Sequence, residues 1–345
     1  MRDLSSLSPT FWERVFGSGT RAAEPKRIGV GMIGANYRVG LSSPDPNVPK
    51  SVVVKLPSPE PESRAAGISH RTYEREAKFY MNLASRVDIR RPHCHWVEFD
   101  EETHDFVLVL EDLAPAEPGD QLTGCTVEQA RLAVVELAGL HGPMWADPKL
   151  FDIDWLQRRA DTAAAELLGG AYAMLMVPFM ATYAKYFTPA QEKVAREFSN
   201  RIVGWVLDRP GPLTLAHGDY RLDNMLFATA AGGPAIAVVD WQTPNHAPAA
   251  NDVAYFLGAG VMPEVRREIE RDVIAEYLAA LGRYGVDHDA TSFWNEYVHA
   301  SFAGLIMAVV ASQVVTPTER GEAMFAAMAT RAAQHAVDLG ALDVL

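Results

Sequence analysis

Cysteine is nearly absent from this chain of 345 residues. Cys94 and Cys125 alone can neither build a disulfide framework nor supply a four-thiolate zinc site. Basic residues are also in deficit, with 31 Lys and Arg against 44 Asp and Glu, a formal charge of −13. Such a balance, with a pI near 5.2, argues against nucleic acid or anionic lipid as the main partner, because phosphate-tracking surfaces need clustered Lys and Arg. Long apolar runs are missing as well. The two longest, 171–184, broken by Pro178, and 301–315, fall short of the roughly 20 residues a membrane span needs. The opening MRDLSSLSPTFWERVF carries charges throughout and has no apolar signal core. No repeat, heptad run or low-complexity tract occurs. The expectation is a soluble, cytoplasmic protein with no membrane or nucleic-acid partner.

What is present is an ordinary globular balance, 48% hydrophobic and 22% charged, at a length that suits two domains or one two-lobed enzyme. The first part holds short β-like runs, YRVGL at 37–41, SVVVKL at 51–56, WVEF at 96–99 and FVLVL at 106–110, separated by Pro-rich or polar turns. One charged helical segment, about 69–86, follows a proline-rich loop at 57–61. After residue 113 the character changes. Thr126 and Gln129 fit a capping box that starts an Ala/Leu/Val-rich helix. Helical segments follow near 154–168, 171–187, 189–207, 263–283, 291–313 and 318–338, interrupted by strand-like PLTLA, MLFA and AIAVVDW. The expected fold is α+β, a β-rich lobe over 1–113 with one helix and a larger helical lobe over 114–345.

Residues 29–34, GVGMIG, match the dinucleotide fingerprint G-x-G-x-x-G. That fingerprint requires a helix directly afterwards and an acid about 20 residues on. Here ANYRVGLSSPDPNVP alternates like a strand and then runs into prolines, so a nicotinamide-dependent oxidoreductase is disfavoured. A glycine-rich hairpin remains, whose backbone N–H groups can approach phosphate oxygens because no Cβ intervenes.

Four further elements point to phosphoryl transfer. Lys55 shares one strand face with Ser51 and Val53, so a cation and an apolar residue look into the same cleft. Glu74 and Glu76 lie in YEREAKFY, and Glu76 falls on the side of Tyr73 and Tyr80. A helix carboxylate of this kind holds a strand lysine toward nucleotide phosphates. In HGDYRLDN, residues 217–224, Asp219 and Asn224 have the spacing of a catalytic loop in which Asp orients the attacking hydroxyl and Asn binds Mg²⁺. Asp240 ends AIAVVDW, where a carboxylate can ligate Mg²⁺. Each has a bland reading, as a turn Asp, an N-cap or a surface lysine. Their joint order over some 210 residues does not.

HGDYRLDNMLF, AVVDWQ and NDVAYFL together resemble the aminoglycoside phosphotransferase/choline kinase-like superfamily, most closely its ecdysteroid-kinase-like branch, over about residues 27–258. The resemblance implies an ATP-dependent kinase of a small-molecule hydroxyl with a two-lobed protein-kinase-like fold and Mg²⁺ as cofactor. Carried over by position, Asp219 is the base, and Asn224 and Asp240 are metal ligands. Gly31, Gly34, Asn36, Val53, Lys55 and Glu76 face the nucleotide, with Leu110–Leu113, which includes Glu111, Asp112 and Leu113, as a hinge whose backbone faces adenine. The sequence departs from protein kinases in having HGD for HRD and DWQ for DFG. Asp252 follows Asp240 by only 12 positions, too few for a phosphorylatable activation segment. Met32 and Ile33 make the glycine loop irregular.

Arg221 can stabilise the transferring phosphate or simply pair with Asp223, and the residues leave both open. His217 and Asp252 read as braces of the catalytic loop, and His141 as a core histidine. The His93-Cys94-His95 triplet shows no fourth metal ligand. The apolar segments 171–187 and 292–310 are core or, in part, the wall of an adaptable acceptor pocket. An apolar or neutral alcohol, sterol-like or macrolide-like, is therefore the expected acceptor. A cationic acceptor of aminoglycoside or choline type and a nucleotide-binding pseudokinase are the alternatives.

Overall fold

The computed structural model describes residues 3–29, 33–156, 161–314 and 318–345. Helix α1, Pro9–Phe16, starts where the Ser8 hydroxyl accepts the Phe11 N–H. An antiparallel sheet follows: β1 (Arg21–Ala22), β2 (Lys26–Ile28), β3 (Gly34–Ser42), β4 (Ser51–Pro57), β5 (Cys94–Phe99) and β6 (Phe106–Glu111). Its order is β1-β3-β4-β6-β5, with β2 also on β3. Alternation along β4 decides what each face does. Val52, Val54 and Leu56 join Val107 and Val109 against Phe11 and Trp12 of α1. On the opposite face Lys55 stands across from Asn36 and Leu108, and Val53 across from Leu110.

Between β4 and β5 run α2 (Pro61–Ser69) and α3 (Thr72–Lys78). Of the prolines in the expected 57–61 loop, Pro57 ends β4 and Pro61 starts α2, because Pro at the first helical position loses no hydrogen bond. Arg71, at φ +56°, separates it from α3.

The helical part begins with α4, Val127–His141, and both halves of the Thr126–Gln129 capping box form. Then come α5 (Thr162–Tyr183), α6 (Pro189–Ser199), α7 (Ile202–Leu207), α8 (Ala250–Gly260), α9 (Pro263–Leu281), α10 (Ala290–Ala300), α11 (Ala303–Val314) and α12 (Glu319–Asp338). Two small sheets are embedded among them. Strands β7 (Glu117–Pro118), β9 (Met225–Thr229) and β10 (Gly232–Val238) form one, and β8 (Leu213–Ala216) with β11 (Asn245–Pro248) the other. One core runs from Tyr73 of α3 and Leu108 of β6 to Leu137 of α4, Phe256 of α8 and Tyr277 of α9. A second joins α5, α6 and α7 to α11 and α12.

Several expected helices differ. The segment expected at 154–168 is helical only from Thr162, where α5 starts, capped by Asp161, with 157–160 outside the described residues; a short 3₁₀ turn, Pro148–Asp152, precedes it. The segments 189–207 and 291–313 each break into two helices. Pro178 does not interrupt α5. The N–H that proline lacks would have bonded the Met174 carbonyl, and both residues lie on the exposed side. Thr162–Tyr186 is consequently long and apolar enough to cross a membrane by length and composition, contrary to the reading of 171–184 as too short. Its inner face packs into the second core.

Candidate active site

The glycine loop joins β2 to β3 as an antiparallel hairpin, with Ile28 opposite Asn36. Strand, not helix, follows it, which removes the dinucleotide-binding reading. Val30, Gly31 and Met32 lie outside the described residues. Gly34 begins β3, and a Cβ there would stand 3.1 Å from Lys55 Cε. Its missing side chain is thus the space through which the lysine runs.

Lys55 is the centre of the cleft. Its Nζ lies 2.7 Å from Glu76 Oε2 and 2.8 Å from Asp240 Oδ1, so one ammonium ties a strand, a helix and the end of β10 together. Burial opposes charge on Lys55, but Asp240 and Glu76 outweigh it and hold the ammonium above its ordinary value. Burial pushes Glu76 up to about 7, with Asp240 adding to the rise and Lys55 resisting it. Glu74, the other candidate, turns away to Arg71 and Lys78, and the Arg71 hydrogen bond contributes most to holding it down at about 2.

The catalytic-loop motif arrives from β8 and leaves into β9. Asp219 Oδ2 accepts hydrogen bonds from Arg221 Nε at 3.1 Å and Asn224 Nδ2 at 2.9 Å, while Oδ1 accepts one from Tyr255 Oη at 2.8 Å. Burial alone would raise the Asp219 carboxyl, but Arg221 and the Tyr255 bond hold it below its ordinary value, so it is a carboxylate. Of the two roles left open for Arg221, the structure shows the pairing, since its NH1 reaches Asp223 at 2.9 Å while Nε holds Asp219. Arg320 of α12 bonds the same Asp223 from outside.

The return through β9 and β10 brings Asp240 beside Asn224, where the Val239 N–H donates to the Asn224 carbonyl at 2.9 Å. Asp240 has φ +67°, a backbone state that L residues rarely adopt and that concentrates at functional sites. Asn224 uses its amide N–H on Asp219, leaving Oδ1 unengaged, and Asp240 uses one carboxylate oxygen on Lys55, leaving Oδ2. Two free hard oxygens in one cleft suit Mg²⁺, which takes few protein ligands and completes its shell with phosphates and water. Among the described residues no group of three His, Cys, Asp or Glu could hold a metal, the 93–95 triplet included.

The braces fall where expected. Asp252 is buried and accepts the backbone N–H groups of His217 at 2.7 Å and Gly218 at 3.0 Å, with His141 at 3.3 Å from the same carboxylate. His217 reaches the Val239 carbonyl at 3.1 Å, and His141 meets Tyr277 Oη at 2.7 Å. The hinge residues continue β6 beside β4. Glu111 pairs with Arg90, Asp112 is fixed by Arg38 and Ser51, and Leu113 is buried. The side chains of Glu111 and Asp112 are therefore committed within the protein.

Tyr255 and Arg320 were missed. Tyr255 had a signal, since it follows Asp252 by three residues and so shares its helix face. Arg320 had none, because it lies 97 residues from Asp223 in sequence. A cavity of about 100 Å³ sits beside the loop, lined by residues that include Gly218, Asn245, Asn251, Tyr255, Ala303 and Met307. Of the two apolar segments, only 292–310 contributes to it.

A two-lobed fold with a buried lysine–glutamate pair facing an HxDxxxxN loop and a strand-ending aspartate defines a small-molecule kinase. The chain belongs to the ecdysteroid kinase-like family, whose model matches residues 31–285. Its fold is similar to that of choline kinase from Cryptosporidium parvum Iowa II, at 12% identity and TM-score 0.60, covering 93% of this chain and 91% of that one. Plasmodium vivax ethanolamine kinase gives 14% and 0.53 over 89% and 81%. Wild-type aminoglycoside 2'-phosphotransferase-IIIa, in its GDP complex, gives 12% and 0.53 over 94% and 97%. At these identities the likeness is one of fold. No curated protein matches the chain by sequence.

Proposed function

We propose that this protein transfers the γ-phosphate of Mg-ATP to a hydroxyl of a small neutral or apolar molecule in the cytoplasm. Residues up to 113 form the nucleotide lobe and those from 114 the catalytic lobe. The observation that carries the reading is the Lys55 ammonium held between Glu76 and Asp240 across the cleft from Asp219. Lys55 then meets nucleotide phosphates as a fixed charge. Three donors occupy the Asp219 carboxylate, and its remaining lone pair orients the acceptor hydroxyl and takes its proton. Asn224 and Asp240 provide ligands for magnesium, which when bound neutralises charge on the nucleotide phosphates. Arg221 is tethered to Asp219 and Asp223, which makes it a positioning residue.

The cavity beside Asp219 supports a neutral acceptor. Its one carboxylate, Asp252, is committed to backbone N–H groups and His141. The other polar side chains are the Asn245 and Asn251 amides and the Tyr255 hydroxyl, against Ala303 and Met307. At about 100 Å³ it takes the volume of roughly three waters, enough for the reacting end of a sterol-like or macrolide-like alcohol. The unpaired, half-buried Cys94 and Cys125 suit a reducing compartment.

The test is Mg²⁺-dependent ADP release from ATP against sterols, macrolides, short alcohols, choline and aminoglycosides, with Asp219→Asn as blank. Stimulation by a neutral alcohol, lost in the variant, is the expected result. Stimulation by choline or an aminoglycoside alone would keep the kinase and overturn the acceptor. Nucleotide binding without transfer to any compound would favour the pseudokinase.

A further inference from the structure

Helix α5 is apolar on every side, yet only one of its faces is covered. Tyr172, Met176, Phe179 and Tyr183 point into the second core. On the other side Leu167, Met174 and Val177 are 74%, 73% and 72% exposed. A Cβ added at Gly170 would meet nothing within 4 Å, while one at Gly169 on the inner side would strike Val203 at 2.6 Å. A helix that is hydrophobic all round is normally buried all round, and a contiguous exposed apolar stripe on a soluble fold marks an interface.

The stripe is self-complementary. It is bounded by Glu166 near its start and by Lys185 just past its end, both exposed and neither in an ion pair among the described residues. These ends stand about 30 Å apart at the rise of a helix. Set antiparallel to a copy of itself about the point between Leu175 and Met176, the helix places Glu166 against Lys185 and Met174 against Val177. The same register brings Gly170 opposite Ala181, where small residues let two backbones approach. An isologous two-fold contact requires this reciprocity, residue i on j and j on i. A charge-free apolar stripe closed by opposite charges at its two ends supplies it. An anionic membrane does not fit a chain with formal charge −13.

We propose that the outer face of α5 is the interface of a two-fold homodimer, with α5 pairing antiparallel across the axis. One helix pair covers less than a standard interface of about 1,600 Å², so the association is weak and follows concentration.

The test is sedimentation equilibrium of the full chain at low ionic strength, from about 10 to about 300 µM. The average mass is expected to climb from 37.8 kDa toward twice that value. Val177→Lys, on an exposed position, should hold the protein monomeric with unchanged circular dichroism. Glu166→Lys alone and Lys185→Glu alone should each weaken association by roughly tenfold, since each sets like charges opposite one another. The double variant should restore it. A wild-type mass that stays monomeric throughout would overturn the proposal. So would single charge swaps that leave the association constant unchanged, or a double swap that fails to recover it. Flotation of a monomeric chain with neutral phosphatidylcholine vesicles would make lipid the occupant instead and would equally overturn it.

Discussion

Replacing Asp252 by asparagine tests how the catalytic loop is held. The wild-type carboxylate is buried and accepts two backbone N–H groups, at 2.7 and 3.0 Å, from the two residues preceding Asp219. A hydrogen bond to a charged group contributes about 1.5–3 kcal/mol. Asparagine keeps one acceptor oxygen and turns its amide N–H groups toward the second donor, which is then buried unpaired. The expected loss is about 2–4 kcal/mol, one charge-assisted bond plus the desolvation of an orphaned N–H. Urea denaturation followed by tryptophan fluorescence would read it, with ADP release in parallel, because a loosened loop misplaces Asp219. The pH dependence adds a second check. Burial alone would raise the Asp252 carboxyl, but the His141 hydrogen bond and charge, together with His217, hold it below its ordinary value. A depressed carboxylate contributes stability that is present above the unfolded pKa and lost as pH falls through the folded one. The deficit of the variant should therefore be full above about pH 4 and close below it. An unchanged urea midpoint with unchanged turnover would refute the brace.

The remaining variants separate chemistry from binding. Asp219→Asn should lower transfer by about 10²–10⁴-fold, the usual worth of a positioned base, with nucleotide affinity retained in a fluorescent-nucleotide titration. Asp240→Ala should weaken Mg-nucleotide binding in the same titration, and normal turnover in either variant would remove the assigned role. Lys55→Met leaves Glu76 buried without its cation, a change that typically costs about 3–5 kcal/mol. Adding Glu76→Gln should recover part of that in a urea titration while activity stays lost. A double variant no more stable than the single one would show that the pair does not interact as drawn.

Much of the site was legible because it depends on local periods. Alternation along β4 alone puts Lys55 on the cleft face, and the choice of Glu76 over Glu74 follows from helical phase. The five-residue span from Asp219 to Asn224 is short enough to be read directly. What stayed hidden is what tertiary packing decides. Helix α8 is buried along nearly its whole length, so it shows no apolar stripe against a polar face, and NDVAYFL could be quoted as a motif without being seen as a helix. Strand β11 has four residues and ends in Pro248, which reads as loop until β8 is found beside it. Pro178 breaks the apolar run in the sequence but not the helix. The structure keeps the helix because the lost hydrogen bond falls on an open face. Arg320 comes to Asp223 through the packing of α12, and no sequence separation of 97 residues announces such a contact.

Charge at the site differs from charge on the chain, and the difference makes a prediction of its own. Around the proposed nucleotide, Glu76, Asp219, Asp223, Asp240 and Asp252 are five acids, and Lys55, Arg221 and Arg320 are three cations, a local charge of −2 with Glu76 ionised and −1 with it protonated. Every acid already has a partner, yet the set remains negative where triphosphate must enter. Interactions at 4 Å are worth about 1 kcal/mol in water and several times that in a partly buried cleft, so a polyanion would be repelled there. One divalent cation, held by Asn224 and Asp240 as proposed, would cancel the excess. Nucleotide affinity should therefore fall by at least about tenfold, or 1.4 kcal/mol, on adding EDTA. Raising monovalent salt should recover only a small part of that loss, because buried charges are poorly screened. A fluorescent-nucleotide titration with and without EDTA reads both effects. Equal affinity in the two conditions would mean that Lys55 and the glycine loop bind phosphate without metal, and that Asn224 and Asp240 serve the loop rather than the nucleotide.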